Sequence, residues 1–259
     1  MLTNRLQKQV HQGEAMKNLH SPSPAHRIAF ISTFTMLLCL VVVVLPYAAL
    51  AYDASADFST SSNPNSVWSY GWSTTLGSAF SLDTSNTTAA YGLTGLGGWF
   101  SGQSAEGVPD VLRNNTASPI LLPPFTNFQP GQLTLNMFQT TYSIVRWTAP
   151  STGLFSIAAT FSAVSTIGGT TDVHVQTNGV SIFNSAVNGF PSPTSYSGTV
   201  SVVSGEHIDF AVGFGSNGND HEDTTALAAT IVAVPEPGTL ALVGAALVCL
   251  LPLRFRKRK

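Results

Sequence analysis

The chain has 259 residues, a formal net charge of −2, and charged residues at only 9% of its positions. Between residues 52 and 233 the only basic side chains are Arg113 and Arg146, set against eleven Asp and Glu. This balance argues against binding nucleic acid or anionic lipid through charge. Cys39 and Cys249 both lie outside this segment, so it contains no internal disulfide.

An apolar segment near the N-terminus has the pattern of a secretory signal. Basic residues precede the apolar run at 28–45, and Ala49 and Ala51 form an A-x-A cleavage pattern. We therefore predict a helical signal peptide over residues 1–51, which directs export through the Sec machinery. Met16 is an alternative start that gives a more ordinary signal length. An uncleaved membrane anchor is the alternative interpretation, because the run is nearly long enough to span a bilayer.

The segment 52–233 is predicted to be a single β domain. No stretch sustains the 3.6-residue apolar period of a helix, and turn residues recur about every ten positions. Repeated short strands without helices imply two antiparallel sheets packed face to face, and we favour a jelly-roll sandwich. An immunoglobulin-like sandwich is the alternative, although its Cys-Trp-Cys spacing is missing. The clearest predicted strands are 142–148, 154–163, 170–177, 180–185, 197–203, 206–214 and 225–232.

The first half of this domain gives weaker strand patterns. Glycine-rich residues 92–107 and proline-rich residues 119–130 predict edge strands and long connections. Trp68, Tyr70 and Trp72 stand two residues apart and therefore share one face of an extended strand. Such a row can stack against sugar rings or can fill the core, and the sequence allows both interpretations.

Two of the predicted strands place polar side chains on one face. Asp172, His174 and Gln176 alternate with valines, and His207 and Asp209 alternate with apolar residues. If the two strands are neighbours, these side chains form a polar patch that could hold a metal or sugar hydroxyls. The solvent-facing side of an ordinary sandwich explains the same alternation.

An acidic loop at 217–223 precedes the last predicted strand. Asp220, Glu222 and Asp223 supply carboxylates beside two asparagine amides, the hard oxygen donors that calcium prefers. We expect no cofactor otherwise, and calcium at these three residues is the one candidate. The spacing differs from an EF-hand loop, and a solvated acidic turn is the alternative interpretation.

No familiar catalytic motif occurs in the domain. It lacks a Gly-x-Ser-x-Gly elbow, a His-Glu-x-x-His zinc motif and a phosphate-binding glycine loop. Glycoside hydrolysis needs two opposed carboxylates, and the composition allows Glu106 with Glu206 or another pair. A secreted hydrolase acting on extracellular polysaccharide is therefore the alternative to a non-catalytic protein.

The C-terminal residues 234–259 contain three parts in a fixed order. The first part is the Pro-Glu-Pro motif of Pro235, Glu236 and Pro237. The apolar run 240–253 follows, and then a terminus in which five of the last six residues are basic. The run is slightly short for the ~30 Å hydrocarbon core, so we predict a short transmembrane helix with its basic end in the cytoplasm. The prolines keep the motif extended and accessible to a protease.

This tail resembles the PEP-CTERM sorting signal of Gram-negative bacteria that make extracellular polysaccharide. The resemblance implies an inner-membrane intermediate that the membrane protease exosortase processes. It further implies delivery to the cell surface, the outer envelope or the extracellular matrix. A plain C-terminal membrane anchor is the physical alternative.

The domain also resembles a jelly-roll module of exported environmental bacterial proteins, over residues 132–231. The resemblance is carried by residues 145–150, 171–175, 178–179, 205–210 and 217–225. Such modules are similar in outline to carbohydrate-binding modules, and they often carry a His-Pro-Gly-like turn where this chain has Asn136-Met137-Phe138. We therefore expect a non-catalytic cell-envelope or matrix protein whose sandwich binds polysaccharide or simply occupies the surface.

Overall fold

The computed structural model describes residues 50–102 and 105–235, which form two large antiparallel sheets and one small hairpin. The eight-stranded sheet contains β1 (Ala51–Asp53), β4 (Ser85–Thr87), β5 (Leu96–Phe100), β6 (Asp110–Asn114), β9 (Leu133–Asn136), β11 (Gly153–Ala163), β14 (Thr194–Val202) and β16 (Thr225–Ala233). The six-stranded sheet contains β2 (Trp68–Ser73), β3 (Ser81–Leu82), β10 (Tyr142–Thr148), β12 (Thr170–Thr177), β13 (Val180–Asn188) and β15 (His207–Phe214). The hairpin is β7 (Ile120–Leu122) with β8 (Thr126–Phe128), and a 3-10 turn lies at Ala90–Gly92.

The last eight strands have the order of a jelly roll. One half reads β9-β16-β11-β14 and the facing half reads β10-β15-β12-β13, so most consecutive strands cross from one sheet to the other. The predicted all-β, two-sheet jelly roll is therefore confirmed. The earlier strands extend it, because β6, β5 and β4 continue beyond β9 while β2 and β3 continue beyond β10.

The final strand, β16, lies inside the larger sheet. It pairs with β11 along its whole length, and its other edge pairs with β9 over residues 225–227 and with β1 over residues 230–232. Ala51 lies opposite Val232, so the first and last strands are side by side.

The main core fills the space between the two sheets. Along β11, Phe155, Ile157, Ala159 and Phe161 are buried while the intervening residues are more exposed, which is the period of two that a half-buried strand requires. Trp147 of β10 packs edge-on against Phe155, with ring centroids 4.9 Å apart. Burying each large apolar side chain stabilises the fold by about 1.5–3 kcal/mol.

A second core covers the opposite face of the larger sheet near β5 and β6. Val111 faces the main core, whereas Leu112 packs with Leu96 and Phe128 in the second one. All five residues of β5 are consequently buried. The prediction of edge strands for the first half is therefore correct only in part. β3 and β4 are terminal strands of their sheets, whereas β5, β6 and β9 lie inside the larger sheet.

The strands predicted for the second half are confirmed to within three residues at each end. Tyr142–Thr148 and Thr170–Thr177 have the predicted bounds. The predicted turn at Asn178 and Gly179 has φ values of 49° and 78°, the left-handed conformation that tight hairpins need. The strand bounds were predictable here because the alternation of side chains and the turn residues indicate the same strand ends.

Gly98 of β5 tests the close packing of the larger sheet. A methyl group there would overlap the carbonyl oxygen of Val111 and approach the Leu112 Cα to 2.8 Å. Gly98→Ala should therefore lower the free energy of unfolding by about 3 kcal/mol, the upper end for overpacking. Chemical denaturation of the purified protein measures this. Gly153→Ala is the control, because its nearest neighbour would be 3.7 Å away, and equal losses in both variants would contradict the packing argument.

Candidate functional site

The aromatic row of β2 is mostly internal. Trp68 and Tyr70 have no exposed surface, and Tyr70 packs against Phe58 with ring centroids 4.7 Å apart. The Trp68 Nε1–H donates to Asp57 Oδ2 at 3.2 Å. A sugar ring cannot reach either side chain, so a stacking role for these two is wrong and they fill the core instead. Trp72 is half-buried, and its role as a ligand contact stays a prediction.

The polar strands β12 and β15 are neighbours, with Gln176 opposite Asp209. The Asp172 Oδ2 lies 2.7 Å from the His174 Nε2 and accepts a hydrogen bond from the Tyr142 hydroxyl at 3.1 Å. Burial lowers the pKa of His174, but its bonds to Asp172 and Asn184 outweigh this effect and leave the pKa raised. Contacts among these side chains hold Asp172 and His174 within the sheet surface, whereas the buried Gln176 Oε1 has no hydrogen-bond partner.

An ion pair occupies the rest of this polar surface. Arg146 binds Asp209 through two parallel contacts, Nε to Oδ1 at 2.7 Å and Nη2 to Oδ2 at 2.8 Å. The Phe80 ring covers the guanidinium at 4.1 Å. The two histidines do not meet, because His174 lies opposite Ala211 whereas the His207 position is four residues further along β15. The structure therefore gives this patch a role in holding β10, β12 and β15 together.

The carboxylates of the acidic loop point to three different neighbours. The Asp220 Oδ2 accepts from the Gln139 backbone N–H at 2.8 Å, and the Glu222 Oε2 accepts from the Ser165 hydroxyl at 2.6 Å. Asp223 is buried, and neither of its carboxylate oxygens has a hydrogen-bond partner. Residues 50–102 and 105–235 contain no group of three or more Asp, Glu, His or Cys that could hold a metal. Calcium at Asp220, Glu222 and Asp223 thus stays a prediction, without a shared centre to support it.

A groove of about 310 Å³ lies between this loop and the turn before β10. Its lining combines an aromatic ring, amide groups, a hydroxyl and a carboxylate, contributed by Gln139, Thr140, Phe214, Gly218, Asn219 and Asp220. Gln139 has a φ of 52°, a conformation that non-glycine residues rarely adopt, and Asp220 holds its N–H. We call this feature the end groove. Sequence analysis found the acidic loop but missed Phe214 and Gln139, since neither belongs to a motif.

A larger groove of about 490 Å³ runs over the outer face of β11 and β16. It is lined mainly by small side chains such as Ala158, Thr160 and Ala228, together with Asp53. The Asp53 carboxylate accepts backbone hydrogen bonds within its own turn. The end groove is the better candidate, because it alone of the two has an aromatic ring beside several polar groups.

The pair of carboxylates considered for hydrolysis is separated. The Glu206 carbonyl accepts from the Ala149 N–H just beyond the end of β10. Glu106 lies near Tyr91, whose hydroxyl donates to Asp110, and the Asp110 carbonyl binds Ser143 at the start of β10. The length of β10 therefore separates Glu106 from Glu206, about 20 Å at the rise of a strand, which is too far for joint catalysis on one bond.

The chain leaves the sandwich directly after β16. The Val234 N–H donates to the Leu154 carbonyl at 2.8 Å, and Pro235 is exposed. Ala51 belongs to β1, whereas Ala49, Glu236, Pro237 and the apolar runs at 28–45 and 240–253 lie outside the described residues. Within the part of the chain that the structure describes, no helix combines the length and apolar character needed to cross a membrane.

Comparison with known proteins identifies the tail. Residues 233–259 match the model of the PEP-CTERM protein-sorting motif. This match confirms the resemblance and implies an exported protein that is targeted to the cell surface. No curated protein matches the chain.

Several solved structures are similar to the sandwich at low identity. A family 35 carbohydrate-binding module from Clostridium thermocellum has 12% identity and a TM-score of 0.28, over 44% of this chain and 85% of that one. A family 51 module from Clostridium perfringens, in complex with methyl-galactose, has 10% identity and a TM-score of 0.34, over 71% of this chain and 100% of that one. Pika GITRL, at 16% identity, has a TM-score of 0.24 over 36% of this chain and 79% of that one.

Asp223 should make stability depend on pH. Burial raises its pKa from 3.8 to about 7, and the nearby charges of Asp220 and Glu222 add to this effect. The folded protein therefore holds a proton that the unfolded chain releases, so this contribution to stability is complete below about pH 4 and lost as the pH rises to about 7. Asp223→Asn should make the dependence of the melting temperature on pH between 4 and 7 less steep without removing it, because burial also raises the pKa values of Asp83 and Asp110 to about 8. The measurement is made with a chelator present.

Ser216→Ala is the matched control for Asp223→Asn, since Ser216 is an exposed residue of the adjoining turn. It should leave the slope unchanged. An Asp223→Asn variant whose melting temperature follows the wild-type curve would show that this carboxylate is not the titrating group.

Proposed function

We propose that this chain is a non-catalytic cell-envelope or extracellular-matrix protein that exosortase processes at its C-terminal tail. It is exported through the Sec machinery, held briefly in the inner membrane, and then transferred to the surface or released. The match of residues 233–259 to the PEP-CTERM motif carries this proposal. The basic terminus after the apolar run supports it, because five cations in six residues favour retention of that end in the cytoplasm.

The junction between sandwich and tail supports processing without damage to the fold. The last paired residue of β16 is Ala233, and Pro235 is already exposed two residues later. Proline has no backbone N–H to donate, so a strand cannot continue through Pro235 and Pro237 without losing ladder bonds. A cut beside Glu236 therefore leaves every strand complete.

We further propose that the end groove binds an extracellular polysaccharide. A sugar ring offers an apolar face, which Phe214 can contact, and hydroxyl groups, which Gln139, Asn219 and Asp220 can bind. The groove lies near the start of β16, whereas the tail begins at its end. Nine residues of strand, about 30 Å, separate the two. When the protein is attached through its tail, the end groove therefore lies at the opposite end of β16 from the attachment point.

Sorting can be tested by changing the motif. Replacing Pro235, Glu236 and Pro237 with alanine should leave the protein unprocessed and in the membrane fraction, because the protease loses its recognition sequence. Mass spectrometry of protein recovered from the producing cells detects whether residues 238–259 remain. Thr239→Ala, just past the motif, is the control and should be processed normally. Normal processing of the triple variant would exclude this sorting route.

Sugar binding can be tested at the end groove. Phe214→Ala should weaken binding to the exopolysaccharide of the producing cells about tenfold, the loss expected for a ring contact of about 1.4 kcal/mol. Affinity electrophoresis in gels that contain the polymer measures this change. Because Phe214 also packs against the core, Asn219→Ala provides a second variant that leaves the core intact.

Trp72→Ala is the matched aromatic control for the groove variants, since Trp72 is half-buried but does not line the groove. Loss of binding in Trp72→Ala alone would move the site to β2. Failure of the wild-type protein to bind any polymer would remove the sugar-binding proposal and leave the sorting proposal untouched.

A further inference from the structure

The two large sheets end, on one side of the sandwich, in two long strands. β14 is the terminal strand of the larger sheet and β13 is the terminal strand of the smaller one, and each is nine residues long. The Phe183 ring of β13 lies 5.6 Å from the Tyr196 ring of β14, measured between centroids. The hydroxyls of Ser185 and Thr194 are 2.8 Å apart. The two strands therefore form one rim of the sandwich, which we call the open rim.

A long strand at the edge of a sheet can pair with a strand of another molecule. Proteins blunt such edges with short strands, charged side chains, proline or a bulge. At the other ends of the two sheets, β3 and β4 are only two and three residues long. The pairing of β13 with β12 shifts register between Val175 and Gln176, so β13 carries a bulge. The pairing of β14 with β11 has no such shift, and within residues 50–102 and 105–235 no strand pairs with the other edge of β14.

The open rim also carries no charge. Residues 175–205 contain no Asp, Glu, Lys, Arg or His. Small hydroxyl side chains cover the outer face of β14, namely those of Ser195, Ser197, Thr199 and Ser201. Such side chains do not repel an approaching strand, and they can hydrogen-bond across a strand pair. Pro193 precedes the first residue of β14, so no proline interrupts the strand. β14 therefore lacks the features that keep an edge unpaired.

The charge of the molecule favours a second copy of this chain as the partner at β14. Between residues 52 and 233 eleven acidic side chains are set against two arginines, so two copies repel each other in most orientations. Repulsion is weakest where the facing surfaces carry no charge, because charges more than about 8 Å away are largely screened at physiological salt. Two copies that meet through β14 have no acidic residue in the facing strands.

We propose that β14 pairs antiparallel with β14 of a second copy, which joins the two larger sheets into one continuous sheet. A two-fold axis perpendicular to the sheet produces this arrangement and makes the two halves of the interface identical. The register that pairs the whole strand sets Gly198 of one copy opposite Gly198 of the other, and Ser197 opposite Thr199. No residue that lines the end groove belongs to β14, so the pairing is independent of sugar binding and of tail sorting.

The size of the contact predicts weak association. Nine residues of strand are about 30 Å long, and the two sheets of a sandwich are about 10 Å apart. The contact therefore buries roughly 300–600 Å² on each copy, less than the ~800 Å² of a standard interface. We expect a Kd of about 10–100 μM, so that the dimer forms only at high local concentration.

Sedimentation equilibrium of the full chain in density-matched mild detergent tests the pairing. The wild-type protein should show a reversible equilibrium between monomer and dimer. The Kd should fall as salt rises from about 50 to 500 mM, because salt screens the repulsion between two acidic copies. A protein that stays monomeric up to about 0.5 mM would overturn the proposal, as would association that weakens when salt is added.

A charge added to β14 locates the interface. Ser197→Glu should raise the Kd at least about tenfold, because the two new carboxylates lie about 7–8 Å apart across the paired strands. Ala228→Glu is the matched control, since Ala228 is exposed on the same sheet but two strands away from the edge. It adds the same charge and should leave the Kd unchanged. Equal effects of the two changes, or an unchanged Kd in Ser197→Glu, would contradict pairing through β14.

Hydrogen exchange of the wild-type protein gives a measurement that needs no variant. Backbone amides of residues 194–202 should exchange more slowly at about 0.5 mM protein than at about 5 μM, because pairing protects the amides that point outward. Residues 180–188 of β13 should exchange equally at both concentrations. Slower exchange in β13 instead, or in neither strand, would overturn the proposal.

Discussion

The last strand of the sandwich, β16, is held between β11 on one edge and β9 with β1 on the other. Its inward side chains, Leu227, Ala229 and Ile231, fill the main core, so both the sheet and the core stay incomplete until this strand is in place. The sorting tail starts where β16 ends. The residues that complete the fold are therefore the last ones of the domain to be synthesised. A truncation before Thr225 therefore removes an internal strand of the larger sheet.

The shortage of basic residues gives the structure its second constraint. Eleven acidic side chains share two arginines between residues 52 and 233. Arg146 is held by Asp209, which ties β10 to β15, and it cannot serve the other acids. Three carboxylates, Asp83, Asp110 and Asp223, are buried without a basic partner. Burial of such groups makes folding responsive to the surrounding solution, since the neutralising charge has to come from outside the protein.

The sequence predicted the second half of the fold well because its signals are local. In β12 the alternation of polar and apolar side chains and the Asn178–Gly179 turn fall within ten residues of one another. The strands of the first half are only two to six residues long, and long-range pairing determines them, as for β6 between β5 and β9. The candidate site was harder to predict from the sequence than the fold. Spacing put Trp68 and Tyr70 on one face but could not say that this face is internal. Asp83 and Asp110 are isolated in the sequence, so no pattern indicated that both are buried.

The pairing of Ala51 with Val232 has a consequence for how the molecule is carried. The chain enters and leaves the sandwich at one corner, so a force on the segment before β1 or on the segment after β16 acts at the same point. The end groove, with Phe214 and Asp220, lies near the opposite end of β16 from this corner. Tension on the C-terminal segment would first load the end of β16 against both β1 and β11, because Ala233 pairs with Phe155 and the Val234 N–H bonds Leu154. This corner therefore determines where both terminal segments attach to the sandwich and which hydrogen bonds break first under tension.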